Sequence, residues 1–159
     1  DEREAGIRAF RYSVELLEAG WPRVLPGAYA QFGLDLIELD LLGEAATVFE
    51  KVLVEEPQDL AARANLGWVL YSLGDAQAAI DQFLQARTLG LNSVVEFNLG
   101  LAYLHNGDME KAEETYAAAV ERFGVQEGVS IGAVEDLRGL TASNGQVKQA
   151  ALHILRRYW

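Results

Sequence analysis

The chain has 159 residues, 50% of them hydrophobic, and a formal net charge of −11 at pH 7. This length is sufficient for one domain with a sizeable core. The acidic balance argues against nucleic acid or an anionic membrane as a partner, because either requires a basic patch. Few prolines and abundant alanine, leucine and glutamate favour a helical protein, and no apolar run is long enough to span a membrane.

The sequence contains no cysteine, so it offers neither disulfides nor thiol chemistry. This composition is compatible with a reducing cytoplasm, which is the location we expect. The chain begins at Asp1 rather than at methionine, so we expect it to be an excised or processed piece. A removed signal peptide would not be visible, and a periplasmic or exported location therefore stays an alternative.

The first predicted element is an amphipathic helix over residues 2–19, which ends before Pro22. Its apolar residues recur three and four apart and therefore lie on one stripe. They are Ile7, Phe10, Val14 and Leu17. We assign residues 1–25 as an N-terminal capping helix. The alternative is the second helix of a repeat whose first helix is missing.

A helical hairpin is predicted over residues 60–93, and its pattern recurs about 34 residues before and 33 residues after. It has Leu66-Gly67 on its first helix, Gly74-Asp75 at the turn, and Ala79, Phe83 and Ala86 on its second helix. The preceding copy has Phe32-Gly33, Ala45, Phe49 and Val52, and the following copy has Leu99-Gly100, Gly107-Asp108, Ala112, Tyr116 and Ala119. The first copy lacks the Gly-Asp turn and has Leu39-Asp40 at that place. We therefore predict tandem repeats over 26–59, 60–92 and 93–126.

Local signals refine the third repeat and the segment after it. Ser93 and Glu96 have the spacing of a capping box at the start of a helix. After Gly124 the period ends, and helices are predicted over Val129–Leu140 and Gln146–Tyr158. We interpret residues 127–159 as a degenerate helical hairpin that caps the array, because the terminal repeat of an open array would otherwise expose its apolar face.

The chain resembles the tetratricopeptide repeat in three features. They are the period, the large apolar residue followed by glycine on the first helix, and the Ala-x3-aromatic-x2-small pattern on the second helix. The resemblance covers Pro26 to about Gly124 and implies an all-α, right-handed superhelical solenoid of helix-turn-helix repeats with helical caps. The chain departs from the family pattern where tryptophan often begins the first helix. Tyr29, Arg63 and Glu96 stand at those places.

In this family the first helices of the repeats line a concave groove, and the resemblance implies which positions face it. In the first repeat these are Gly27, Ala30, Gln31, Leu34, Ile37 and Glu38. In the second they are Ala61, Ala64, Asn65, Trp68, Tyr71 and Ser72, and in the third Val94, Phe97, Asn98, Leu101, Leu104 and His105. From these we select as peptide-binding candidates Leu34, Ile37, Asn65, Trp68, Tyr71, Phe97, Asn98, Leu101, Leu104 and His105.

Leu34, Trp68 and Leu101 are equivalent positions, so an apolar line is expected along the groove, and such a line is costly unless it is covered. We expect Trp68 to anchor a partner, because aromatic side chains often dominate binding energy. One alternative is that the terminal helices or closure of the superhelix bury part of this line. Another is that Phe10 and Trp21 of the N-terminal region cover Trp68.

Asn65 and Asn98 could hold the backbone of a ligand, as asparagine does in many members of the family. The alternative for both is a hydrogen bond between helices. Some members bind a C-terminal carboxylate through a clamp of cations and asparagines. Here Ala30, Val94 and Asn98 stand where those cations would be, so a free acidic C-terminus is not the expected ligand.

The sequence gives little support for catalysis. The histidines His105 and His153 have no carboxylate or second histidine at metal-ligand spacing, and we interpret them as isolated surface or cap residues. There is no glycine-rich phosphate loop, and no serine lies in a nucleophile motif. We expect no enzymatic activity, no metal and no cofactor.

We therefore predict a protein-interaction scaffold that binds a peptide or helix in an apolar groove. The acidic charge favours an apolar, neutral-to-basic protein partner, without nucleic acid or membrane insertion. One alternative is a dedicated chaperone, because type III secretion chaperones of the family have a similar plan, size and acidity. The other is self-assembly into a homo-oligomer through the N-terminal helix or the convex face.

Overall fold

The computed structural model describes residues 25–143 and 145–159, together with residues 4, 6–8, 11, 12 and 15, which are helical. Phe10, Val14, Leu17 and Trp21, on which the N-terminal predictions depend, lie outside the described residues. From residue 25 onward the described chain forms nine helices and no strand. They are α1 (Leu25–Glu38), α2 (Leu42–Glu55), α3 (Leu60–Ser72), α4 (Ala76–Leu89), α5 (Ser93–Asn106), α6 (Met109–Phe123), α7 (Val125–Ser130), α8 (Ala133–Leu140) and α9 (Gln146–Tyr158).

The helices pack as consecutive hairpins, α1 with α2, α3 with α4 and α5 with α6, and each hairpin packs against the next. This arrangement confirms the predicted all-α solenoid of repeated hairpins. None of the described helices is long and apolar enough to cross a lipid bilayer. The division of the chain at residues 25 and 126 stays a prediction from the sequence period.

One contact recurs in each repeat, where a buried aromatic ring on the second helix lies against a glycine on the first. The pairs are Gly33 with Phe49, Gly67 with Phe83 and Gly100 with Tyr116. All three rings have 0% of their surface exposed. A Cβ atom at any of these glycines would lie within 2.6–2.8 Å of the nearest ring atom, closer than packed atoms approach. The glycine therefore sets the distance between the two helices of a repeat.

The described core divides into two apolar clusters. The smaller one is formed by α1, α2 and α3 and includes Phe49 and Val69. The larger one extends from α4 to α9 and includes Phe83 and Tyr116. Leu70 packs against both clusters.

The turns between the paired helices need one residue with positive φ. Gly74 (φ 90°) and Gly107 (φ 86°) serve in the second and third repeats, and Asp40 (φ 58°) serves in the first. The sequence analysis placed Leu39 at the position of the turn glycine, whereas Asp40 has the positive φ. The predicted register of this turn is therefore wrong by one residue. Aspartate tolerates this region better than most residues but not as well as glycine.

The predicted capping box at Ser93 is wrong. The N-cap of α5 is Asn92, whose Oδ1 accepts a hydrogen bond of 3.2 Å from the Val95 amide. Ser93 instead donates from Oγ to Oε1 of Glu127 over 2.6 Å. Glu96 accepts two hydrogen bonds from Arg87, of 2.8 Å and 2.5 Å, so its carboxylate pairs with α4 rather than with its own helix terminus.

The chain after Gly124 also differs from the prediction. The expected helix over Val129–Leu140 is divided into α7 and α8 at Gly132, which has φ 87°. Helices α7 and α8 pack against α5, and α9 packs against α6, α5 and α8. Trp159 completes this packing, since its ring lies 6.2 Å from that of Phe97 and its indole N–H donates to the Val125 carbonyl over 2.9 Å.

We expect Gly67→Ala to lower the free energy of unfolding by about 1–3 kcal/mol, because the new methyl group overlaps the ring of Phe83. The matched control is Gly139→Ala in α8, where a Cβ atom meets nothing within 4 Å. The control should be neutral or stabilising by up to about 1 kcal/mol, the usual difference in helix propensity. Urea unfolding followed by circular dichroism measures both, and equal effects would contradict the role of the glycine.

We expect Asp40→Gly to raise the free energy of unfolding by about 0.5–1 kcal/mol, because glycine adopts positive φ without the steric cost that a side chain carries. Glu56→Gly is the control, since Glu56 is also an exposed acid after a helix but has φ −124°. The control should not stabilise the protein. Urea unfolding compares the two variants with the wild type through their midpoint concentrations, at an equal slope of unfolding free energy against urea.

Candidate functional site

We call the groove positions of α1, α3 and α5, as counted in the sequence, the A-helix face. Its predicted apolar line is open in only part of the array. Leu34 is 39% exposed and Trp68 is 36% exposed, whereas Leu101 is 3% exposed. The positions three residues later follow the same trend. Ile37 and Tyr71 are partly exposed there, whereas Leu104 is buried.

The expectation of an exposed line across three repeats is therefore wrong for the third repeat. Phe97, Leu101 and Leu104 belong to the larger core cluster together with residues of α8 and α9. Phe97 also lies beside the backbone of Gly128 in α7. In this repeat the apolar line is buried, as in the alternative in which the terminal helices cover part of it. These three side chains are therefore not accessible to a partner.

The two asparagines of the A-helix face, Asn65 and Asn98, are half-buried. Among the described residues, neither Asn65 nor Asn98 has a hydrogen-bond partner for its side chain. The expected alternative of a hydrogen bond between helices does not occur there. Both carboxamides therefore keep a donor and an acceptor that a ligand could use.

Tyr71 and His105 connect the second and third repeats. The Tyr71 hydroxyl and the His105 Nε2 atom share a hydrogen bond of 2.8 Å, and the two rings meet edge to face at 4.7 Å. Burial lowers the pKa of His105, which favours the neutral ring. Burial and then the charge of Asp136 raise the pKa of Tyr71 to about 12, so its hydroxyl stays protonated at neutral pH.

Asp136 lies on α8, which packs against α5, and the sequence analysis did not consider it. Its side chain is exposed, yet it has no hydrogen bond or ion pair with the described residues. Desolvation by the surrounding protein and then repulsion from Glu135 raise the pKa of its carboxyl group. No repeat pattern pointed to it, because the period had already ended at Gly124.

Tyr116 of α6 is a second buried tyrosine with a shifted pKa. Its ring packs on Gly100, and its hydroxyl is buried without a hydrogen-bond partner among the described residues. Burial, then Asp136 and then Tyr71 raise its pKa well above the usual value for tyrosine.

The other histidine is also paired, so the interpretation of both histidines as isolated is wrong. Between α9 and α6, His153 Nε2 lies 3.1 Å from Oε1 of Glu113, and Arg157 donates to the same oxygen over 2.6 Å. In the part of the chain that the structure describes, no group of three or more His, Cys, Asp or Glu residues could hold a metal ion.

Comparisons with known proteins agree with the repeat pattern. One tetratricopeptide repeat family model matches residues 31–90, and a second matches residues 97–123. None of the curated proteins matches the chain closely enough to be called a relative.

Several solved structures have a similar fold. A crystal structure of MamA is 23% identical, with 99% of this chain and 90% of that chain covered and a TM-score of 0.67. A second MamA crystal structure is 22% identical, with 98% and 88% covered and a TM-score of 0.63. The nearly identical TPR-like repeats of a protein assigned as a Podosopora anserina kinesin light chain are 18% identical, with 82% and 83% covered and a TM-score of 0.55. At these identities the likeness shows the fold alone.

We expect Asp136→Asn to stabilise the protein at neutral pH, because the raised pKa means that the folded state disfavours the ionised carboxylate. The gain over the wild type should be small well below the ordinary pKa of 3.8, where the carboxyl group is protonated in both states. It should grow as pH rises through the folded-state pKa and then stay constant. Thermal unfolding of the variant and the wild type from pH 3 to pH 7 tests this, and a stability difference between them that does not grow as pH rises would contradict it.

Proposed function

This chain belongs to the tetratricopeptide repeat family, and from that membership we propose that it is a protein-interaction scaffold whose A-helix face holds an apolar, neutral-to-basic segment of a partner protein. Repeats of this family bind proteins, and the hairpin array of the chain supports the same role. The observation that carries the proposal is the open surface around Trp68. A large aromatic side chain is exposed there, next to the unpaired carboxamide of Asn65.

Exposed apolar surface at this place supports binding rather than core packing. Leu34 and Trp68 occupy equivalent positions of adjacent repeats, so they form neighbouring parts of one apolar strip. Water contact at such a strip is unfavourable, and covering it with apolar side chains of a partner would release that cost. The half-buried asparagines could then hydrogen-bond to the backbone of the bound segment.

Charge supports the neutral-to-basic character of the partner. None of the positions of the A-helix face carries lysine or arginine, and Glu38 carries a carboxylate. The net charge of −11 adds a field of the same sign. An acidic segment would be repelled by this surface, and a basic one would be steered toward it.

The described polar groups favour binding over catalysis. Ser93 and Ser130 both donate to oxygens of Glu127, and neither meets a histidine. His105 is paired with Tyr71. Without a base to activate a hydroxyl, these residues do not form a nucleophilic site. We therefore propose a role without enzymatic activity, in a cytoplasmic setting that the absence of cysteine is compatible with.

We expect Trp68→Ala to weaken binding of a partner peptide by at least about tenfold, because an aromatic anchor commonly contributes about 2 kcal/mol or more. Peptides selected from a displayed random library serve as probes, and fluorescence anisotropy gives their dissociation constants. The control is Val54→Ala in α2, since Val54 is 76% exposed and lies on the second helix of its repeat.

The control should bind as tightly as the wild type, and circular dichroism of both variants should retain the helical signal. Equal affinity of the wild type and the Trp68→Ala variant for every selected peptide would contradict the proposed surface. Binding lost in the Val54→Ala variant instead would place the partner on the second helices of the repeats.

A further inference from the structure

A second open surface lies between α6 and α9, two helices that carry no position of the A-helix face. Both helices line one crevice of about 990 Å³, which we call the α6–α9 crevice. Its apolar part is formed by Met109 of α6 together with Ala150 and Ile154 of α9. Ile154 is 1% exposed and belongs to the larger core cluster, so the crevice reaches down to the core.

The two walls of the α6–α9 crevice carry charges of opposite sign. Glu110 and Glu113 belong to the α6 wall, and Arg156 belongs to the α9 wall. Helix α9 contains one lysine, two arginines and no acid, in a chain whose net charge is −11. A surface with an acidic side and a basic side is complementary to a copy of itself related by a two-fold axis.

Some of these charges are paired within the chain, and others are not. Glu113 Oε1 accepts a hydrogen bond of 2.6 Å from Arg157 and lies 3.1 Å from His153 Nε2, so this carboxylate joins the two walls. Glu110 and Arg156 line the same crevice and are both exposed, yet neither forms an ion pair or a hydrogen bond with the described residues. These two side chains are therefore available to charges of another molecule.

We propose that two copies of this chain associate through the α6–α9 crevice, with α9 of each copy lying in the crevice of the other. In this arrangement Arg156 of each copy meets Glu110 of the other, so the two-fold axis produces two identical ion pairs. Leu152 is partly exposed and lines the crevice, and it would pack on Met109 of the other copy. The inference concerns a surface separate from the A-helix face and does not rest on the proposed function.

Charge favours a second copy over other occupants of the crevice. A basic segment would be attracted by Glu110 and repelled by Arg156, and an acidic segment would meet the reverse. A partner that suits both walls must carry both signs in the matching order, as this surface itself does. The net charge of −11 opposes association in general. At about 0.15 M salt, however, exposed charges more than about 8 Å apart are largely screened, and direct contacts across the crevice are shorter than that.

Charge reversal tests the pairing, and sedimentation velocity of the intact chain from micromolar to millimolar concentration is the measurement. The wild type should form a dimer and no larger species, because a two-fold contact is closed. Arg156→Glu and Glu110→Arg should each weaken the dimer by at least about tenfold, since either change opposes like charges at both symmetry-related pairs.

An equimolar mixture of these two variants is the sharpest sample. When an Arg156→Glu chain meets a Glu110→Arg chain, both pairs again join an acid and a base, so the mixed dimer should form about as tightly as the wild-type dimer. The first change makes the chain more acidic and the second makes it less acidic. A general effect of net charge would therefore move the two variants in opposite directions.

Arg122→Glu and Glu121→Arg are the matched controls. They make the same charge changes at exposed residues of α6 that line a different crevice. Both controls should dimerise like the wild type, and circular dichroism should show the same helical content in all variants. Loss of the dimer in the controls as well would attribute it to charge elsewhere on the chain and overturn the inference.

Other results would also overturn it. These are a wild type that stays monomeric up to millimolar concentration, a dimer that survives in Arg156→Glu or Glu110→Arg, and a mixture that does not restore the dimer. Species larger than a dimer would show head-to-tail contacts instead of a closed pair. Trp68→Ala should leave the dimer unchanged, and loss of the dimer in that variant would show that copies meet through the A-helix face.

Discussion

The structure depends on a close contact between glycine and an aromatic ring inside each repeat. Phe49, Phe83 and Tyr116 are buried against glycines of the preceding helix, and no larger residue would fit at those glycines. This contact fixes the separation of the paired helices, and the next hairpin then packs on the surface that the pair presents. The positions of Trp68 and Tyr71 on the exposed side of α3 follow from this packing.

The fold could be predicted from the sequence because the residue pattern that specifies each hairpin is repeated along the chain. Glycine at Gly67 and Gly100 and the rings that follow them recur at one period, so each repeat supports the interpretation of the others. Errors occurred where one residue decides the geometry. Asp40 takes the positive φ that glycine has in the other two repeats, although the sequence pattern had placed Leu39 there. Asn92 rather than Ser93 caps α5, because the two adjacent polar residues have similar propensity for the N-cap position.

The candidate site was predicted less completely, for a physical reason. Counting positions along α1 and α3 identified Leu34 and Trp68, whose exposure follows from the regular helical face. It could not show that Leu101 belongs to a core shared with α8 and α9, since that packing is not periodic. It also could not single out Asp136, because α8 lies outside the repeat period and its packing against α5 is tertiary.

The division of the described core into two clusters has a consequence for how the array opens. Trp68 lies on α3, beside residues of the smaller cluster, whereas His105 lies on α5, among residues of the larger one. Repeat arrays open in cooperative units that are joined by their interfaces, and amide hydrogen exchange reports each unit separately. A segment bound across Trp68 and His105 would join the two units, so protection would rise in α1 and α2 although no atom of the ligand touches α2.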